Sequence, residues 1–285
     1  MSVIKKYYYT SDLPIEFFRK ASGQINKYST TLIRVTYPPE PPEKVELIGS
    51  GTFISLGSSL YGILTAYHVL KDLDQPCDLG LVLVEEEHSS RIPVTDLDLV
   101  EIAVPPYPGA SPDLAFIGLP LNRAKGISDF KSFYDLAIDR EEMTTNPPDR
   151  KSAVWFVNGT PKELTKNVPS EGAYKEVQWF HSLCGAGGVE LPTFEREFDY
   201  LESIVEYEEE YALPSTFLGI SGGGLWQVTF KTGPGEFIPD RYLLAGMAFA
   251  ETEEIIEGKR KILCHGPKSI YEYAYTFLED WNSTS

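Results

Sequence analysis

Gly219-Ile220-Ser221-Gly222-Gly223-Gly224 encloses one serine in a run of glycines, between Leu213-Pro214-Ser215-Thr216-Phe217-Leu218 and Leu225-Trp226-Gln227-Val228-Thr229-Phe230. The second flank is rich in apolar, aromatic and β-branched residues and reads as a strand. The serine therefore sits on a tight turn. Glycine reaches dihedrals that strain other residues, and it lets another backbone approach closely. A serine held this way can present its hydroxyl beside main-chain N–H groups. Acyl transfer needs that combination: a nucleophile, and donors for the oxyanion its attack creates. The plainer reading is an ordinary glycine turn, so the stretch decides little until partners for the hydroxyl are found.

Two other stretches supply them. Gly49-Ser50-Gly51-Thr52-Phe53-Ile54 leads through a turn at Gly57-Ser58-Ser59 into Gly62-Ile63-Leu64-Thr65-Ala66-Tyr67-His68-Val69-Leu70. Later comes Pro112-Asp113-Leu114-Ala115-Phe116-Ile117. His68, Asp113 and Ser221 can form a relay in which histidine takes the serine proton and aspartate orients the imidazole. A lone histidine after an apolar strand is more often structural, and an aspartate after proline is often a turn residue. Asp113 opens an apolar strand, however, so it is expected to be partly buried and to need a partner. His88, His181 and His265 lack the Thr-Ala-x-His setting.

The pieces Gly-Ser-Gly-Thr-Phe, Leu-Thr-Ala-Tyr-His-Val, Asp-Leu-Ala-Phe-Ile and Gly-Ile-Ser-Gly-Gly-Gly-Leu-Trp, in that order, resemble the trypsin-like (chymotrypsin-fold) serine peptidases, most closely the bacterial, disulfide-free type. The motifs span roughly residues 31–250. The chain order His, Asp, Ser is the one these enzymes use. The resemblance implies an all-β fold of two six-stranded antiparallel barrels with a C-terminal helix. It implies a serine endopeptidase acting through an acyl-enzyme, with Ser221 as nucleophile, His68 as base and then acid, and Asp113 as orienter. The oxyanion donors would be the N–H groups of Gly219 and Ser221. Ser215 would form the base of the primary pocket, and Phe249-Ala250-Glu251 its wall. A serine base argues against strict choice of Arg or Lys, while Glu251 either restores some basic preference or blocks deep entry. Ile220 stands where zymogen-type relatives carry an aspartate, which implies no activation by a freed N-terminus. No metal or cofactor is implied.

Two other functions remain open. Gly219-Ile220-Ser221-Gly222-Gly223 also fits the Gly-x-Ser-x-Gly elbow of α/β-hydrolases. Asp240 and His265 follow the serine, but the strand–helix alternation of a parallel sheet is missing. The other alternative is a gated or degenerate protease fold that acts as a binding or regulatory protein. Its partner would be a regulatory protein, where the peptidase takes a peptide or protein substrate.

Composition narrows the setting. Among 285 residues, 42 acidic face 25 basic side chains, a formal charge of −17. That balance argues against nucleic acid and anionic membranes as partners, and is met by an ordinary self-repelling surface. Hydrophobic content of 42% is that of a folded globular protein. Three scattered cysteines, Cys77, Cys184 and Cys264, form neither a disulfide framework nor a metal spacing. Val69 follows His68 where secreted relatives carry a disulfide cysteine. The N-terminal residues lack an apolar signal core, and a reducing cytoplasm is the expected compartment.

The expected organisation is a short N-terminal helical arm over 1–30, a first barrel with His68 and Asp113 over 31–120, a polar linker over 121–150, and a second barrel with Ser221 over 151–266. A C-terminal helix over 267–285 closes the chain, with Ile270, Ala274, Phe277, Leu278 and Trp281 on one face. In the arm, Ile15, Phe18, Ile25 and Tyr28 fall near one face, although Gly23 interrupts it. In 193–212, Phe194, Phe198, Leu201 and Val205 recur at helical spacing among eight acids, which reads as an acidic amphipathic helix. That insert is either a solvated face or a flap over the substrate path.

Overall fold

The computed structural model describes residues 12–38, 43–73, 76–84, 88–107, 110–147, 149, 151, 153–169, 176–180, 182–190, 192–206, 213–233, 236–252 and 259–284. His181, residues 39–42, residues 207–212 of the acidic insert and residues 1–11 of the N-terminal arm lie outside them.

Two antiparallel sheets carry most of the chain. The first contains β1 (Ser29–Thr36), β2 (Lys44–Leu56), β3 (Leu60–Thr65), β4 (Asp78–Val84), β5 (His88–Pro93), β6 (Asp98–Ala103) and β7 (Leu114–Gly118). Their order is β5-β4-β1-β2-β3-β7-β6, and β8 (Tyr134–Asp135) adds a two-residue parallel pairing to β2. After β9 (Ala153–Gly159) comes the separate pair β10 (Lys166–Pro169) and β11 (Glu176–Trp179). The second sheet continues with β12 (Leu183–Val189), β13 (Thr193–Glu195), β14 (Phe198–Glu206), β15 (Gly224–Gly233), β16 (Glu236–Glu251) and β17 (Lys259–His265). Its order is β12-β9-β15-β16-β17-β14-β13, and a further pairing of β12 with β14 brings the path back on itself. The strand sets are thus larger than the two sets of six expected. None of the helices among the described residues is long and apolar enough to cross a membrane.

The β2–β3 hairpin follows the sequence closely. Leu56 pairs with Leu60 around Gly57, whose φ of 59° is a left-handed conformation that glycine takes without penalty. Beyond β4, Arg91–Val104 reads from its sequence as one strand, but it forms the end of β5 and all of β6, separated by a turn of 3-10 helix at Val94–Asp96. His88-Ser89-Ser90, whose polar residues suggest a turn, lies in β5. Cys184–Gly188, whose three glycines suggest a turn, is instead the body of β12.

Three other expectations change. First, α1 (Ile15–Ile25) forms, and Gly23 does not stop it, but its buried stripe is Phe17, Ala21 and Ile25, with Ile15 exposed. The i, i+4, i+8 row wins because Phe17 reaches Phe18 and Phe230 edge-on. Second, the linker is not a spacer. Between α2 (Tyr67–Lys71) and the second sheet it forms α3 (Leu121–Ile127) and α4 (Leu136–Thr145), burying Ala124, Ile127, Leu136 and Met143. Asp135 caps α4 by accepting from the Ala137 N–H at 3.0 Å. Tyr134 of the linker meets buried Trp226 edge-on, and Tyr28 of the arm stacks on it at 5.3 Å between ring centroids. Arm, linker and second sheet therefore share one core.

Third, the described part of the acidic insert is the hairpin of β13 and β14, not a helix. Asp199, Leu201 and Ser203 are buried at a period of two. The apolar spacing that suggested a helix is a coincidence of a strand rich in Phe, Tyr, Ile and Val. Two of its acids are answered from β17: Lys261 pairs with Glu202 at 2.6 Å, as it does with Glu190 ahead of the insert at 2.8 Å, and Lys259 pairs with Glu206 at 2.7 Å. At the C-terminus, Ser269–Ala274 is wound as a π-helix and continues into α5 (Tyr275–Thr284). Ile270, Ala274 and Leu278 are buried as expected, Trp281 partly so, and Phe277 is 36% exposed.

Candidate active site

Register brings His68 and Asp113 together. In the antiparallel pair of β3 and β7, Thr65 stands opposite Ala115. Continuing that ladder past both ends places Asp113 beside the first turn of α2. The carboxylate holds His68 twice. Oδ1 accepts the His68 main-chain N–H at 3.0 Å, and Oδ2 lies 2.6 Å from Nδ1 of the imidazole. The aspartate side chain is 3% exposed and the histidine side chain 48%. A buried carboxylate needs its acceptor sites filled, and this one takes the Nδ1 side of the ring, which leaves Nε2 outside the pair.

The serine turn is clamped between the two sheets. From β2, the Ser50 N–H donates to the Ser221 carbonyl at 2.8 Å and the Ser50 hydroxyl to the Gly219 carbonyl at 2.7 Å. The Thr52 hydroxyl donates to the Gly222 carbonyl at 3.2 Å. From β16, the Ala248 carbonyl accepts the Gly222 N–H at 2.7 Å, and the Ala248 N–H donates to the Gly223 carbonyl at 2.8 Å. Gly49 marks the contact: a side-chain carbon there would meet Val69 Cγ2 at 2.7 Å and the Ser221 carbonyl at 3.1 Å. Val69 is the neighbour of His68, so the serine turn and the histidine helix converge over a residue that has no room for a Cβ.

Two amides of the turn are held but not used. The Leu218 carbonyl accepts the Lys162 N–H at 2.6 Å, and the Ile220 carbonyl accepts the Gly223 N–H at 2.8 Å. Each carbonyl shares a trans peptide with the next N–H, which points the opposite way. The N–H groups of Gly219 and Ser221 are thereby turned outward, and among the described residues neither donates to the protein. Gly219 and Gly222 have φ of 96° and 90°. Gly222 also has no space: a Cβ would collide with the Ser50 carbonyl and the Thr65 hydroxyl.

The Ser221 hydroxyl is directed at the Phe249 carbonyl, 3.2 Å away, and no hydrogen bond joins it to His68. That carbonyl is free because of a bulge. Ala248 pairs with Cys264 and Ala250 with Leu263, leaving Phe249 without a partner in the ladder. Bulges of this kind turn a group out of the sheet.

The other residues expected at the substrate side have definite roles. Ser215 is exposed, and its N–H and hydroxyl both donate to Glu163, at 2.8 and 2.7 Å. The Ser215 hydroxyl, with help from the adjacent amides, holds the Glu163 carboxyl below its ordinary range. Glu251 is not a free acid at a pocket edge. Its carboxylate accepts from Arg260 at 2.7 Å, from the Phe217 N–H at 2.9 Å and from the Thr216 hydroxyl at 2.5 Å. Ala250 is half-buried and lies in the β16–β17 ladder.

Ser50, Glu163 and His265 were not singled out by the sequence reading as partners of this site. Ser50 sits within the quoted Gly-Ser-Gly-Thr motif, where it reads as a strand residue. His265 is wholly buried, with Nε2 3.2 Å from the Asp113 nitrogen and 3.1 Å from the Asp113 carbonyl oxygen. Only the tertiary fold brings it there. Compared with known proteins, the chain matches no protein-family model and no curated sequence.

Proposed function

We propose that this protein is a serine endopeptidase related to the trypsin-like enzymes, its two sheets corresponding to two barrels. The observation that carries the reading is the grip of the buried Asp113 carboxylate on Nδ1 of His68, at 2.6 Å, beside a serine turn whose outward amides are unengaged. The return of the second sheet on itself through β12 and β14 supports the barrel correspondence.

In the reaction, the Ser221 hydroxyl rotates from the Phe249 carbonyl to Nε2 of His68. Nε2 takes the proton as the oxygen attacks the peptide carbonyl carbon. The oxyanion is received by the N–H groups of Gly219 and Ser221. His68 then gives its proton to the leaving amine, the C–N bond breaks, and an acyl-enzyme remains. Water, deprotonated by the same imidazole, releases the acid and restores the serine. Asp113 keeps the ring in the required tautomer and stabilises its charged form. No step requires a metal or cofactor. The substrate is a peptide or protein. Free Cys77, Cys184 and Cys264 suit a reducing, cytoplasmic setting.

A second reading rests on the direction of the serine hydroxyl. A hydroxyl bonded to Phe249 and not to His68 suits a gated enzyme, or a binding protein that has kept the fold, awaiting a regulatory partner. Labelling purified protein with a fluorophosphonate, with and without cell lysate, separates these cases. Labelling that Ser221→Ala abolishes supports the peptidase. Labelling only in lysate supports gating, and none in either favours the binding protein. Labelling that survives in Ser221→Ala would point to another nucleophile.

A further inference from the structure

We propose that His265 is a positioning residue for Asp113, holding that aspartate's main chain so that its carboxylate stays on His68; the catalytic part of the proposal rests on the peptidase reading above. The two residues are far apart in sequence, Asp113 just ahead of a strand of the first sheet and His265 at the end of β17 in the second. Asp113 lies just ahead of β7, so its own N–H and C=O fall outside the strand's ladder, and the residue is 2% exposed. Buried main-chain groups need partners from elsewhere. Nε2 of His265 lies within 3.2 Å of both.

One nitrogen can serve only one of them at a time. With its proton on Nδ1, the ring accepts the Asp113 N–H. With the proton on Nε2, it donates to the Asp113 carbonyl. In both cases the ring is neutral, and Nδ1 is buried without a partner. Burial agrees with that, pulling the histidine down to about 4. Phenylalanine would fill the same aromatic cage without an orphaned nitrogen. What histidine adds there is the bond to Asp113.

The ring also reaches the serine side of the site. It packs on Phe249 at 4.8 Å between centroids, and on Tyr200 at 5.4 Å. Phe249 carries the carbonyl that receives the Ser221 hydroxyl. One buried ring therefore braces both the aspartate that orients the base and the bulge beside the nucleophile. His265 touches no reacting atom itself.

The test compares His265→Phe, which keeps the ring shape and removes both nitrogens, with His265→Gln, whose amide can donate and accept. Three quantities are read: thermal unfolding, the fluorophosphonate labelling rate split into maximal rate and half-saturating concentration, and the far-downfield proton signal of a histidine Nδ1–H shared with a carboxylate. Misplacement of a catalytic group by about 1 Å lowers rates about 100-fold. We expect His265→Phe to stay folded, lose 10- to 100-fold in maximal rate (roughly the span below that limit) with the half-saturating concentration unchanged, and lose or shift the downfield signal. His265→Gln should recover most of both.

A folded His265→Phe with wild-type rate and signal would overturn the proposal. So would equal losses in both variants that track stability alone, as for a plain core residue. If neither variant folds, long-range proton–nitrogen spectra of wild-type imidazoles decide: His265 should be neutral, with Nε2 hydrogen-bonded and its single ring proton slow to exchange, and a protonated or freely exchanging ring overturns the idea. If wild-type protein never labels, the peptidase reading fails, while the downfield signal of His68 in wild type and variants still decides whether His265 positions Asp113.

Discussion

The Ser221 hydroxyl donates to the Phe249 main-chain carbonyl, 3.2 Å away, while the imidazole of His68 is held separately by Asp113. Ser221 and His68 are therefore each held by contacts of a different sheet, and the peptidase reading requires the hydroxyl to turn from Phe249 to the imidazole. The serine loses little by that rotation. A hydrogen bond of this kind contributes about 0.5–1.5 kcal/mol net, and water can replace the hydroxyl at a half-exposed position.

Ser221→Ala should accordingly leave the fold intact. Its unfolding free energy is expected within about 1 kcal/mol of wild type, while probe labelling and peptide cleavage vanish. Urea unfolding run beside labelling checks both. A variant that unfolds with its labelling lost would mean that the serine is chiefly a structural cap of the turn.

Asp113→Asn tests the other half. The amide can still accept the His68 main-chain N–H, but it also presents N–H groups to the ring and selects the wrong tautomer. The expected loss in kcat is about 10⁴-fold, with KM little changed. Steady-state kinetics on a peptide substrate measures this. A loss under 10-fold (on the order of an ordinary single hydrogen bond) would remove Asp113 from the mechanism.

The candidate site was legible in the sequence to the extent that local motifs carry it. The glycine turn, the Thr-Ala-Tyr-His strand end and the aspartate before β7 each have a signature at their own position, and the β2–β3 hairpin matched its turn residues. What stayed hidden depends on contacts across the fold. Ser50 looks like one more strand residue until its hydroxyl is seen to bridge the Thr160 N–H and the Gly219 carbonyl, at 2.8 and 2.7 Å. His265 had no motif at all. Secondary structure was misread where short apolar runs fit two periods. In 193–206 the spacing of Phe198 and Leu201 suited a helix, yet pairing with Lys259–His265 made it a strand. In 121–150 the polar surface concealed Leu136 and Met143, which are buried.

The pair Glu251–Arg260 gives a prediction about both stability and specificity. Both side chains are mostly buried, and the carboxylate also holds the turn at Thr216 and Phe217. Arg260→Met leaves that carboxylate without its cation and should destabilise the protein by about 3 kcal/mol. Because the charge is already answered inside the protein, Glu251 should contribute no preference for basic side chains. A peptide-library digest with a strong Lys or Arg bias that disappears in Glu251→Gln would contradict this.

Glycines of similar appearance should respond in opposite directions. Gly23 lies inside α1, and a side-chain carbon there meets nothing within 4 Å. Gly23→Ala should stabilise by about 0.5–1 kcal/mol, the usual difference within a helix. Gly222 has φ of 90° and would place its Cβ against the Ser50 carbonyl and the Thr65 hydroxyl. Gly222→Ala should destabilise by about 3 kcal/mol or more and lower labelling by moving the serine turn off β2. Denaturant midpoints of the two variants, read side by side, test the positions against each other.

His265 sets an acid limit. Burial lowers its proton affinity from the ordinary 6.5 to about 4, although the nearby Asp113 opposes the shift. As pH falls through 6.5, the unfolded chain takes up a proton that the folded protein refuses. The unfolded state then binds more protons, and stability falls. The loss runs from pH 6.5 down to about 4 and ends there, because below that both states are protonated. Over that window it amounts to about 3 kcal/mol. His265→Gln has no such group, while carboxylates elsewhere act alike in both proteins. The difference between their urea midpoints should therefore shift in favour of the glutamine variant as pH drops from 7 to 4. A constant difference across that range would mean that His265 accepts its proton in the folded protein, and that its ring is not held neutral against Asp113.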